Sequence, residues 1–204
     1  MVDASLFVGV VVLGYLLGTV PFADLVTRVA TRGDVDIRSA GSGNPGGFNT
    51  FRSVGKGWGI VVILLDGGKA MFAGLIALVF VGDAAAYAAA TAAIAGHIWP
   101  VWTGFRGGKG VAAAAGAVLG VFPAFFPLDL LVLAAGVAIF RRSRPAMLLG
   151  MCTWVVAAVL WTAFDWPNLW GPDPSAGLVV FSVLGAGMVV AKFALAARDS
   201  PAPT

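Results

Sequence analysis

Glutamate is absent from the 204 residues, and histidine and cysteine occur once each, as His97 and Cys152. Structural and catalytic metal sites draw on several such side chains held close together, so a clustered metal site of the usual kinds is excluded. One cysteine cannot close an internal disulfide, and its place in an apolar run predicts a small packed hydrophobe. Charge is also scarce. Only 11% of residues are charged against 59% hydrophobic, and the mean hydropathy is +0.93. A soluble domain of this length cannot cover so much apolar surface, so lipid must be the solvent for much of the chain. The net charge of +3 is too small to argue for a nucleic-acid partner. No Lys or Arg precedes Arg28, which removes the positive leading segment of a cleavable signal peptide. The first apolar run is therefore expected to be a retained span.

A helix needs about 20 mostly apolar residues to cross a bilayer. Residues 4–23, 58–81, 84–102, 146–164 and 177–195 meet or approach this, the second run being interrupted by Asp66 and Lys69. Two shorter runs, 111–122 and 130–140, flank Pro123 and Pro127. Residues 24–57 and 104–110 are polar and glycine-rich, and 165–175 is a proline-rich loop. Seven spans with the N-terminus outside place Arg28, Arg32, Arg38, Arg52, Lys56, Arg106, Lys109, Arg141, Arg142, Arg144 and Arg198 in inside segments. The outside segments then hold acids alone: Asp3, Asp83, Asp129, Asp165 and Asp173. Basic residues favour the cytoplasmic side, so this sorting sets the orientation. A single kinked crossing over 111–140 would push the Arg141 cluster outside, so two short helices are expected there. The expectation is an all-α polytopic membrane bundle of about seven transmembrane helices, one domain over 1–204. Its N-terminus lies outside, its C-terminus inside, and its chemistry faces the cytoplasm.

Two inside segments carry the chemistry. In GSGNPGGFNTFR (41–52), Gly41, Gly43 and Gly46 let backbone N–H groups approach an anion. Ser42, Asn44 and Asn49 add hydrogen-bonding groups, and Arg52 adds a forked cation. That combination suits phosphate; the plain alternative is a flexible connector. Gly41-x-Gly43-x-x-Gly46 imitates a dinucleotide fingerprint, but a membrane span precedes it, Pro45 interrupts it, and no βαβ unit surrounds it. In GHIWPVWTGFRGGKG (96–110), Arg106, Gly107, Gly108 and Lys109 form a second anion cradle leading into a helix N-terminus. It is not a Walker loop, because Thr103 stands where the first glycine belongs and Gly110 where Ser or Thr belongs. The alternative here is a basic turn at lipid headgroups. His97 fits a general base or a structural hydrogen-bonder at a helix end. Asp66 and Lys69 share a helix face at a depth where charges mark a site or a buried pair.

These segments, with LLDGGKA (64–70), resemble in order and spacing the PlsY-type acyl-phosphate:glycerol-3-phosphate acyltransferases of bacterial phospholipid synthesis. The resemblance covers roughly the first two thirds of the chain. It implies a small, helical, cofactor-free enzyme of the inner (plasma) membrane. The implied reaction moves a long-chain acyl group from acyl phosphate to the 1-hydroxyl of glycerol 3-phosphate, giving lysophosphatidic acid and phosphate. Ser42, Arg52 and Lys109 would bind the substrate anions, and Asn44, Asn49, Gly107 and Gly108 would shape the site. The chain departs from the family at Gly47-Phe48, where Ala-Thr is usual, at Arg106, where Lys is usual, and at Ala70, where Gly is usual. The tail over 192–199 has no counterpart of the family's closing Arg, His and Asn motif. Acyl-CoA-dependent relatives in function pair His with Asp five positions on; here that position holds Trp102. A transporter of a phosphorylated metabolite and an inactive lipid-binding homologue are the alternatives.

Overall fold

The computed structural model describes residues 3–198; Asp199, the end of the tail just considered, lies outside the described residues. Among the described residues the chain forms α1 (Ala4–Thr19), α2 (Phe22–Ala30), α3 (Gly47–Ser53), α4 (Lys56–Phe80) and α5 (Asp83–Ile98). A 3-10 turn (Val101–Thr103) leads to α6 (Val111–Val121), α7 (Phe126–Phe140), α8 (Ser143–Phe164) and α9 (Ala176–Arg198). The helical segments Ala4–Ala30, Lys56–Phe80, Arg144–Phe164 and Ala176–Ala196 are long and apolar enough to cross a membrane. Large apolar side chains such as Leu64, Val79, Phe80 and Ile139 point out from the bundle, as a lipid solvent allows.

Helix ends follow local chemistry. Asp3 caps α1 by accepting from the Ser5 N–H at 2.8 Å. Pro21 forces Val20 out of the helical region and ends α1 there. The helix then restarts at Phe22, which corrects the expectation of an open polar stretch over 24–57. Pro21 and Asp24 look like a stop signal, yet α2 is amphipathic: Phe22, Leu25, Val26 and Val29 share one face, and Asp24, Thr27 and Arg28 lie on the other. α3 is a second short helix inside the same stretch. Pro100 stops α5 short of the expected 102. The region 111–140 does form two helices, α6 and α7, as expected. Cys152 is exposed, contrary to the packed position expected of it: it lies on the outward side of α8, where lipid tolerates it.

Small residues set the packing. Gly14 and Gly18 of α1 lie against the backbones of Ala89 and Ala93 of α5, so these helices run in parallel. A Cβ on Gly14 would stand 2.5 Å from the Ala89 carbonyl oxygen, so only glycine fits. Gly67 meets Gly116, and Met71 meets Gly120, making α4 and α6 parallel. Tyr87 packs over Gly177 and Ile94 near Gly185, so α9 runs with α5. Gly74 meets Ala86 and Ala90 while Asp66 meets His97, which sets α4 antiparallel to α5. Gly136 against Ala146 and Leu133 against Gly150 oppose α7 to α8, and Trp154 against Gly185 with Thr162 bonded to the Ser175 carbonyl opposes α8 to α9. Such close backbone approach is how apolar helices gain dispersion contact where lipid offers no hydrophobic drive. The directions alternate along α1, α4, α5, α6, α7, α8 and α9. Residues 20–55, 99–110 and 141–142 therefore gather at one end of the bundle. The alanine-rich α5 is its axis, with Ala86, Ala90, Ala93, Ile94 and Ile98 fully enclosed.

Gly116→Val is expected to destabilise the protein by about 1–3 kcal/mol through backbone overlap with Gly67, whereas Gly187→Ala, with nothing near its Cβ position, should be close to neutral. Unfolding in detergent followed by circular dichroism checks the pair.

Candidate active site

The gathered end contains a chain of buried polar contacts. Asp66 on α4 is 2% exposed. Its Oδ1 receives Lys69 Nζ at 2.8 Å from one turn along α4, and His97 Nδ1 at 3.3 Å from the last turn of α5. The antiparallel crossing of α4 and α5 brings these two helices together there. Lys69 Nζ also donates to the Val20 carbonyl at 2.8 Å. Carbonyls at the end of a helix lack intrahelical donors, so the ammonium satisfies the negative end of α1. The Phe22 ring lies 5.5 Å from the same ammonium. Asp66 and Lys69 thus neutralise each other, and His97 is drawn into the pair.

A carboxylate at Nδ1 takes the imidazole N–H there and leaves Nε2 as the basic nitrogen. Nε2 lies beside Gly108, where a Cβ would collide with the ring and stand 2.9 Å from the Pro45 carbonyl oxygen. The Gly107 and Gly108 N–H groups donate to the Ile98 and His97 carbonyls at 3.1 and 3.2 Å. The second glycine segment is thereby laid directly over the end of α5. Asp66, Lys69, His97, Gly107 and Gly108 line one cleft with Thr19, Pro21, Asp24, Arg38 and Pro45. Its volume of about 20 Å³ is room for roughly one water.

The other expected site residues are not among those that line this cleft. Gly41 and Gly43 take positive φ angles of 56° and 67°, which turn the first segment back on itself. Asn49 is 5% exposed, and its hydrogen-bonding capacity goes to the loop. Its Nδ2 donates to the Ile37 and Ala40 carbonyls at 3.1 and 2.9 Å. Its Oδ1 accepts from the Ser42 N–H at 3.0 Å and Ser53 Oγ at 3.4 Å. The Asn49 side chain thus spends its donors and its acceptor on the loop and holds the shape of the first glycine segment. Ser42 is exposed, Asn44 half-buried and Gly46 buried. The Arg52 guanidinium stacks 4.5 Å over exposed Phe48. Phe48 is one of the departures from the family pattern, and cation–π contact gives it a use. Lys109 Nζ lies 4.9 Å over the Phe193 ring of α9, and Arg106 is exposed.

Two cleft residues escaped the sequence reading of the site. Asp24 of α2 receives Arg38 Nε at 2.6 Å and Nη2 at 2.9 Å. They stand 14 residues apart in a stretch without an evident helical period, and nothing short of the fold pairs them.

Replacing Asp66 by Ala leaves the Lys69 ammonium buried without its carboxylate. The loss is expected to be about 3–5 kcal/mol, against less than about 1 kcal/mol for removing an exposed charge such as Arg32. Unfolding of both variants in the same detergent checks this.

Residues 8–198 match the family model described as glycerol-3-phosphate acyltransferase. The chain is 43% identical over 151 residues to the glycerol-3-phosphate acyltransferase of Maricaulis maris (strain MCS10), covering 72% of this chain and 68% of that one. It is 47% identical over 118 residues to the protein of the same name from Rhodopseudomonas palustris (strain BisB5), covering 58% and 59%. Among solved structures it is similar to PlsY (YgiH), an integral membrane glycerol 3-phosphate acyltransferase, in its glycerol 3-phosphate form. The TM-score is 0.78 at 27% identity, over 94% of this chain and 90% of that one. The lysophosphatidic acid form of that protein gives a TM-score of 0.74 at 26% identity. The family match runs through α9, so the last helix lies inside the shared region despite its divergent tail. The apolar helices and the integral membrane neighbour make this a membrane protein, and the chain belongs to the glycerol-3-phosphate acyltransferase family.

Proposed function

We propose that this protein transfers a long-chain acyl group from acyl phosphate to the 1-hydroxyl of glycerol 3-phosphate at the cytoplasmic face of the inner membrane. Seven crossings carry the site, α1, α4, α5, α6, α7, α8 and α9, with the N-terminus outside. The observation that carries this reading is the meeting of Pro45 from the first glycine segment with Gly107 and Gly108 from the second beside the Lys69–Asp66–His97 chain at one end of the bundle. Family membership supplies the reaction. Both substrates carry phosphate and one carries an acyl tail, so the site needs anion cradles beside lipid. The glycine segments with Ser42, Arg52, Arg106 and Lys109 meet the first need, and the apolar outer faces of the helices meet the second.

In the reaction the 1-hydroxyl oxygen attacks the acyl carbonyl carbon. The bond from that carbon to the phosphate oxygen breaks, and inorganic phosphate departs. Ser42 and Lys109 are assigned to the anions and to the oxyanion that develops at the carbonyl, where fixed donors lower the barrier most. His97 Nε2, held by Asp66 through Nδ1, is the protein's acceptor for the hydroxyl proton. Acyl phosphate is an activated anhydride, so a phosphate oxygen serves as the alternative acceptor and a strong protein base is not required. Holding the hydroxyl against the carbonyl supplies much of the remaining acceleration. No cofactor enters this scheme.

Purified protein in detergent, given glycerol 3-phosphate with palmitoyl phosphate or palmitoyl-CoA, tests the proposal. Lysophosphatidic acid is expected from the phosphate donor alone. Ser42→Ala, Lys109→Ala and Gly108→Ala are each expected to lower kcat/KM at least about 100-fold, the last by filling the space over the imidazole. Absence of product from either donor, with glycerol 3-phosphate still bound, would favour a carrier or scaffold.

A further inference from the structure

The second glycine segment is held from two sides. On the inner side, the Gly107 and Gly108 N–H groups donate to α5 carbonyls. At its start, Tyr15 Oη donates to the Trp99 carbonyl at 2.9 Å, and Trp102 Nε1 donates to Thr19 Oγ1 at 2.9 Å. Those contacts tie residues 99 and 102 to α1. The part that carries the cations is held differently. The Arg106 carbonyl accepts Arg38 Nη1 at 2.5 Å and Thr103 Oγ1 at 3.2 Å. Arg38 turns its other edge to Asp24 in the two-pronged fork already described. A single guanidinium from the loop between α2 and α3 therefore joins α2 to the second glycine segment, its partners lying 14 and 68 residues away in sequence.

The chemistry of this contact is positional. A guanidinium holds its donors in one plane, so fixing Nε and Nη2 on Asp24 fixes where Nη1 points. Asp24 neutralises the charge, so Arg38 delivers direction to the Arg106 backbone more than it delivers a free cation. Residues 106–108 then lie between Arg38 on one side and α5 on the other. That sets the departure point of Lys109 and of Gly110, whose φ of 87° turns the chain into α6. The Asp24 and Arg38 side chains are 28% and 27% exposed, so the two-pronged pair is largely shielded from solvent and holds its geometry. That geometry places the third edge of the guanidinium on the second glycine segment.

We infer that Arg38, clamped by Asp24, is a positioning residue for the anion cradle at 106–109. The inference rests on the proposed acyl transfer for its kinetic consequence, but not for its structural one. Both are read on the full-length protein with Arg38→Gln, Asp24→Asn and the double variant. Amide hydrogen exchange at residues 104–109 is expected to quicken about tenfold or more in each variant, with α8 and α9 unchanged. KM for glycerol 3-phosphate is expected to rise at least about fivefold with kcat altered less than about twofold, and the double variant should be no worse than the worse single. Unaltered exchange at 104–109 in Arg38→Gln would overturn the clamp. So would loss of KM in Arg38→Gln with Asp24→Asn at the wild-type value, which would make Arg38 a direct substrate ligand. A lowered unfolding temperature with wild-type kinetics would reduce the pair to a structural contact and also overturn it. Failure of the wild-type protein to transfer acyl groups would count against the proposed function, and the exchange result would still decide the clamp.

Discussion

A carboxylate enclosed by helices whose outer surface is lipid has no water to answer it, so the protein must supply its donors. Asp66 imposes that requirement on this fold. The donors come from its own helix, as Lys69, and from the end of α5, as His97. Meeting the requirement fixes the crossing of α4 and α5 where Asp66 meets His97. It also seats Lys69 on the carbonyl where α1 breaks, and it turns one face of the only histidine toward the second glycine segment. Polar atoms that would be costly alone become a connected set when each takes the other's spare capacity.

Glycine and alanine make that connection reachable. α5 carries alanines where it meets α1 and α4, and the glycines of α1, α4 and α6 allow the backbones to come within touching distance. Larger side chains at Gly18, Gly67 or Gly116 would separate the helices that bear the polar set. The same small residues leave the bulky side chains, Leu64, Phe80 and Ile139 among them, to face lipid. Apolar side chains therefore face outward as well as inward, because tight backbone packing rather than exclusion from water drives association.

Much of this was legible in the sequence, and for physical reasons. The apolar runs declare the spans because unsatisfied backbone cannot exist in hydrocarbon. Glycines beside Ser42, Arg52, Arg106 and Lys109 mark the anion segments, since backbone approach to phosphate needs glycine. The Asp66–Lys69 pair was visible as a shared helix face. What stayed hidden depends on contacts distant in sequence. α2 was masked by Pro21 and Asp24, which imitate a helix end while starting a new amphipathic turn. Asn49 stood out because its amide suits phosphate, and only the folded loop shows what that amide holds together. Arg38 was one basic residue among eleven in the inside segments until the fold set it between Asp24 and the Arg106 carbonyl.

The length of α5 carries a further consequence. Its 16 residues rise about 24 Å, and the 11 of α6 about 16 Å, against a hydrocarbon thickness near 30 Å. Asp66 lies ten residues into α4 from Lys56, a descent of roughly 15 Å. Short helices beside a long one create hydrophobic mismatch, which the bilayer relieves by thinning locally. The polar cluster lies where α5 stops, about ten residues inside the start of α4. Under the proposed reaction, a lipid-borne acyl phosphate would bring its headgroup to that level while its tail stays among its neighbours, and a water-borne acceptor would approach from the same end of the bundle. The depth of the site, set by how early α5 stops, would then bring a hydrophobic donor and a hydrophilic acceptor to a common level.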